Sequence, residues 1–159
     1  MLGALSVISL SLLPSAAVAD SDQAPLQFFN GKTEMVSTIK VIMKKPFRSR
    51  AVGTGRILSD GSLSLAQQVF DEGQPTKQRN WKIRQIAYGH YAGSMTEAVG
   101  PVEVDEIDGR YRFNYKMKGN LAVEQWLTPI AGGNAAKSVL TVRKFGMKVA
   151  SSTGIIKRV

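Results

Sequence analysis

The chain has 159 residues, 43% hydrophobic and 21% charged, a composition that fits one folded domain and not a disordered chain. It contains no cysteine and one histidine, His90. That excludes disulfides, thiolate metal sites, thiol nucleophiles, a lipidated N-terminal Cys and every two-histidine motif. Lys and Arg outnumber Asp and Glu 21 to 12, and the net charge of +9 points toward anionic partners.

Residues 2–13 are apolar apart from Gly3 and the small hydroxyls Ser6, Ser9 and Ser11. Pro14 ends the run, and Ala17-Val18-Ala19 stands directly before Asp20. An apolar stretch, a breaker and an Ala-x-Ala site make the layout of a secretory signal peptide, although no Lys or Arg precedes the run. It is too short for a transmembrane helix, which needs about 20 apolar residues. The expectation is a signal peptide over residues 1–19 and one domain over 20–159, periplasmic or secreted and not lipidated.

The rest of the chain alternates apolar and polar residues in short segments between turn signals. Lys44-Lys45-Pro46-Phe47-Arg48-Ser49-Arg50 sets four cations around one aromatic at the expected tip of the first hairpin. Lys44, Lys45, Phe47, Arg48 and Arg50 are therefore a candidate patch for an anionic membrane or lipopolysaccharide surface. A charged tip that only discourages edge association is the plainer alternative. Nucleic acid is not expected for a secreted chain. Gly53-x-Gly55 lacks the third glycine and the following helix of a nucleotide fingerprint, and reads as a bend in a sheet.

Asp60-Gly61 joins Ala51–Leu58 to Ser62–Phe70, and Glu72-Gly73-Gln74-Pro75 leads to a strand over Asn80–Tyr88. His90 falls between Gly89 and Tyr91 with no carboxylate at motif spacing, and no Gly-x-Ser-x-Gly elbow exists. It reads as a surface turn residue. Glu103, Asp105, Glu106 and Asp108 form an acidic cluster on the strand Val102–Ile107. The stretch lacks the spacing of a calcium loop and the aromatic platforms of a glycosidase groove, so it reads as a solvated face complementing basic neighbours.

Asp108-Gly109 is a tight-hairpin signal. Beyond it Arg110–Lys118 alternates without a break, with Tyr111, Phe113, Tyr115 and Met117 on one face and Arg110, Arg112, Asn114, Lys116 and Lys118 on the other. Leu121–Leu127 is a further strand, and Thr128–Ala136 is a loop with room for one helical turn or a lid. Ser138–Lys144 and Lys148–Lys157 form a last hairpin bent at Phe145-Gly146.

About eight to ten short strands in sequential hairpins predict an all-β antiparallel meander, because parallel pairs need longer crossovers. Closure into an up-and-down β-barrel removes both sheet edges. Trp81, Ile83, Tyr111, Phe113, Tyr115 and Met117 then face inward and are the candidate ligand-binding residues. The alternative is a dry core filled by the same side chains.

Several motifs recur in a set order. Leu26-x-Phe28-Phe29-x-Gly31 is followed by Gly61-x-Leu63-x-Leu65, Phe70-Asp71-x-Gly73 and Arg79-x-Trp81. Tyr91-x-Gly93, Gly100 and Lys144-Phe145-Gly146-x-x-Val149 complete the set. In this order they resemble domain-of-unknown-function family 3833, uncharacterised proteobacterial envelope proteins. The resemblance implies a lipocalin-like barrel and no established activity. Many such proteins look like lipoproteins, and the absence of Cys means that no lipid anchor carries over. Glu97 stands where Asp is common, and the acidic tryptophan motif reads Glu124-Gln125-Trp126. The resulting expectation is a monomeric, non-enzymatic barrel without metal or cofactor that binds a small apolar or amphipathic, lipid-like molecule. A structural or interaction barrel with a self-filled core is the rival.

Overall fold

The computed structural model describes residues 24–130 and 132–159, so the expected leader lies outside the described residues. A short helix, α1 (Ala24–Phe28), precedes ten strands. These are β1 (Gly31–Val41), β2 (Phe47–Ile57), β3 (Leu63–Asp71), β4 (Lys77–Ala87) and β5 (His90–Met95). They continue with β6 (Val102–Ile107), β7 (Arg110–Met117), β8 (Leu121–Pro129), β9 (Ala135–Lys144) and β10 (Met147–Arg158). Each strand pairs antiparallel with the next, and β1 pairs with β10 from Thr33↔Arg158 to Val41↔Ala150. The meander is a closed up-and-down barrel of ten strands, as the hairpin pattern predicts.

The turns account for the register. Asp108 and Gly109 both have positive φ, 52° and 73°, as a two-residue type I′ turn requires. At Asp60-Gly61 the Asp60 carboxylate accepts from the Ser62 N–H at 2.9 Å and the Ser62 hydroxyl at 2.6 Å. Alternate residues of each strand then meet inside the barrel. Leu63 and Leu65 of β3, Trp81 and Ile83 of β4, and Phe113 and Tyr115 of β7 are all buried there.

Three local expectations need correction. Strand β2 begins at Phe47 and not at Ala51, so Phe47, Arg48 and Arg50 lie on the barrel wall and only Lys44 and Lys45 stay in the turn. The loop after β8 is shorter than expected, because Pro129 pairs with Ala136 and extends both strands. His90 is the first residue of β5 and pairs with Ala87 and Asp105 in the sheet.

Helix α1 was not legible as a helix: five residues are too few to show a helical period. It lies across the end of the barrel where β1 starts and β10 finishes, with Leu26 and Phe29 buried in the core. The Arg158 guanidinium donates to the Asn30 carbonyl at 3.0 Å and ties the helix exit to the last strand.

Candidate functional site

The interior is built on three aromatic rings. Trp81 meets Phe113 edge to face with centroids 6.3 Å apart, and Tyr115 in the same way at 5.9 Å. The Trp81 indole N–H donates to the Gln67 side-chain carbonyl at 2.7 Å. Beside the rings lies a cavity of about 80 Å³, mostly apolar, with Gln67, Arg79 and Gln125 among its lining residues. Gln125 donates to the Ser138 hydroxyl at 2.9 Å, and Arg79 is paired with Glu97 at 2.8 Å. The Arg79 Nε–H is buried without a hydrogen-bond partner among the described residues.

Burial pushes the Tyr115 phenol up to about 12, with the Arg79 and Glu97 charges acting in opposite directions on it. Burial favours the neutral phenol, so this stabilisation is complete below the ordinary pKa of 10.0 and is lost as pH rises through about 12. Absorbance titration should show a tyrosinate transition near pH 12 that Tyr115→Phe removes. If the variant leaves the titration curve unchanged, Tyr115 is not shielded as the packing requires.

A second pocket of about 340 Å³ opens at the α1 end. Phe28 and Gln27 of the helix form one side, and Tyr111, Pro129, Ala135 and Arg158 form the barrel rim. Pro25, Phe29, Phe113 and Leu127 line both this mouth and the interior cavity. Small-molecule pockets run from about 300 Å³ upward, so the mouth reaches that size and the interior alone does not.

Four of the six expected interior residues, Trp81, Ile83, Phe113 and Tyr115, line the inner cavity. Tyr111 lines the mouth. Met117 lines neither: it bridges to Ala98 and packs against the core at the opposite end of β7. The sequence reading missed Gln67, Arg79, Gln125 and the α1 side chains. Gln67 follows Leu63 and Leu65 at the period of two, and Arg79 precedes Trp81 and Ile83 in the same way. Strict alternation places both inside, although neither is apolar.

The basic patch is divided by its neighbours. Arg50 pairs with Glu34 of β1 at 3.0 Å and lies 5.8 Å from the Phe70 ring centroid. The Arg48 N–H donates to Glu72 at 3.1 Å, and Phe47 is half-buried. Sequence proximity had set these residues together, whereas strand pairing brings carboxylates from β1 and the β3–β4 turn among them.

On the outer wall His90 Nδ1 lies 2.8 Å from Asp105, and Arg112 donates to the other Asp105 oxygen at 3.0 Å. Burial raises the Asp105 carboxyl, but the hydrogen bonds and charges of His90 and Arg112 outweigh it and hold the group below its usual range. Arg110 stacks on Trp126 at 4.4 Å. Among the described residues no hydroxyl hydrogen-bonds the His90–Asp105 pair. No group of three or more His, Cys, Asp and Glu is placed to hold a metal ion there either.

A closed meander with an apolar interior, a polar inner corner and a mouth beside a short helix defines a lipocalin-like barrel. The chain belongs to the family of proteins of unknown function DUF3833, which matches residues 11–158. A comparison with curated proteins finds no match. Among solved structures, the chain is similar to the S-type phycobiliprotein lyase CPES from Guillardia theta, with a TM-score of 0.68 and 8% identity. That match covers 86% of this chain and 92% of the lyase. A protein of unknown function of the DUF3598 family from Nostoc punctiforme gives 0.62 at 11% identity, covering 84% of this chain and 48% of that one. Rv2717c from M. tuberculosis gives 0.59 at 11% identity, covering 87% and 98%. At such identities the likeness establishes the fold.

Proposed function

We propose that this barrel binds a small amphipathic molecule at the α1 end, with the apolar part between the helix and the rim. The mouth pocket carries the proposal: about 340 Å³ of largely apolar space that shares four lining residues with the barrel interior. Tyr111, Phe28 and Phe29 offer ring faces for an acyl or polyene chain, and Arg158 at the rim offers a cation to an acidic head. A fold of this kind serves a phycobiliprotein lyase in Guillardia theta, which is compatible with ligand handling. The reading here is non-enzymatic: His90 is engaged with Asp105 on the outer wall and does not line the mouth. The apolar run and Ala17-Val18-Ala19 support binding in the periplasm or outside the cell.

Pro129 is exposed at the rim and shares the inner-face register of Leu127, so Pro129→Trp fills the mouth while leaving the core in place. Wild-type protein is expected to bind a fluorescent fatty-acid analogue. The variant should lose at least about tenfold in affinity, near 1.4 kcal/mol, with an unchanged thermal midpoint. Failure of the wild type to bind, or equal affinity in the variant, would leave the self-filled interior as the better account.

A further inference from the structure

The end of the barrel away from α1 carries the β1–β2 and β9–β10 turns side by side. Their strands pair, and the Ile42 N–H donates to the Val149 carbonyl at 2.9 Å. The two tips present Ile42, Met43, Phe145 and Met147, which are 59%, 99%, 77% and 70% exposed. Lys44, Lys45, Lys144 and Lys148 stand around them, all exposed, and none is in an ion pair among the described residues. The only carboxylate on these two hairpins is Glu34, near the other end of β1 and already paired with Arg50.

Backbone geometry sets these tips apart from the other turns. Among the described residues four non-glycine residues have positive φ: Met43 at 60°, Asp108 at 52°, Asn120 at 58° and Phe145 at 50°. Asp and Asn tolerate the left-handed region, whereas large apolar residues rarely occupy it. Both apolar exceptions lie at the neighbouring tips, strained and in water at once. Core packing does not account for them, because they touch no core. Strain of this kind is kept where a segment has a task other than folding.

We propose that this end of the barrel docks on a bilayer bearing anionic lipid. Met43, Phe145 and Met147 enter the interfacial layer, and the four lysines lie against the headgroups. Protruding apolar tips inside a ring of cations match a fluid apolar layer beneath negative charge. A second copy of the chain is opposed by like charge. Docking leaves the α1 mouth facing away from the bilayer, and it does not depend on the mouth holding a ligand.

Co-sedimentation with phosphatidylcholine vesicles, with and without phosphatidylglycerol, tests this. Wild-type protein should pellet with the anionic vesicles only, and added salt should release it. The double variant Met43→Asn, Phe145→Asn suits the left-handed backbone, so its thermal midpoint should hold or rise while partitioning falls at least about tenfold. Phe145→Trp should give blue-shifted emission with anionic vesicles. Three results overturn the proposal: wild-type protein left in the supernatant, pelleting of the double Asn variant like wild type, or a Phe145→Trp spectrum unchanged by vesicles. An acidic protein surface is the occupant that the first result would favour.

Discussion

Replacing Trp81 by Ala should destabilise the barrel by about 3–5 kcal/mol, the range for deleting a large buried aromatic side chain. Trp81 is 8% exposed and touches both Phe113 and Tyr115 edge to face, so the deletion removes the shared partner of two rings on the facing strand. It also leaves the Gln67 side-chain carbonyl without its donor at 2.7 Å, and an unmet buried acceptor adds about 1–3 kcal/mol unless water enters. The rings cannot close the gap, because each is fixed to its own strand by sheet hydrogen bonds. Urea denaturation of wild type, Trp81→Ala and Trp81→Phe should order the three with Phe between. Trp81→Phe keeps one ring but loses the second ring as well as the N–H, so its cost joins the Gln67 bond to that of a smaller cavity. A loss below about 1 kcal/mol for Trp81→Ala would mean that the rings do not organise the interior. The enlarged cavity in that variant should also admit apolar probes that the wild-type interior of about 80 Å³ refuses.

The meander was legible because every hairpin is short and its signal is local. Asp60-Gly61 and Asp108-Gly109 announce turns, and Tyr111 to Met117 announce a face, with no long-range information needed. What depends on two distant segments meeting was not legible. Arg50 and Glu34 are 16 residues apart, and His90 and Asp105 are 15 apart, yet both pairs sit in direct contact across the sheet. Side-chain alternation carries the face of a residue but not its neighbour on the next strand, which depends on register. The mouth was hidden for the same reason. Its walls come from α1, β7, β8, β9 and β10, segments that sequence spacing alone does not join. Arg79 and Gln125 share the inward period of Trp81 and Leu127, but the expected inward set held only apolar and aromatic residues. In a barrel whose interior holds polar partners, period is the better guide.

Gly55→Ala should cost about 3 kcal/mol, at the upper end of ordinary overpacking, and should act on the mouth as well as on stability. A Cβ at Gly55 would run into the backbone carbonyl of Phe29, at the exit of α1. Backbone cannot rotate aside as a side chain can, so either β2 bends or the helix exit lifts. Lifting is the softer response. The exit is held by Arg158 on the Asn30 carbonyl at 3.0 Å and a long Ile57 N–H contact to the Asn30 side chain at 3.4 Å, whereas β2 is paired on both sides along its length. Gly53→Ala on the same strand is the control: its Cβ would meet the Thr33 hydroxyl at 2.9 Å and the Leu65 and Gln67 side chains, which can shift. The expected result is a smaller loss for Gly53→Ala and faster chymotryptic cleavage near Phe28 and Phe29 for Gly55→Ala alone. The fatty-acid analogue should bind more weakly to Gly55→Ala, because Phe28 and Phe29 form one wall of the mouth. Equal protease resistance in the two variants would show that α1 is not seated by the missing side chain at Gly55.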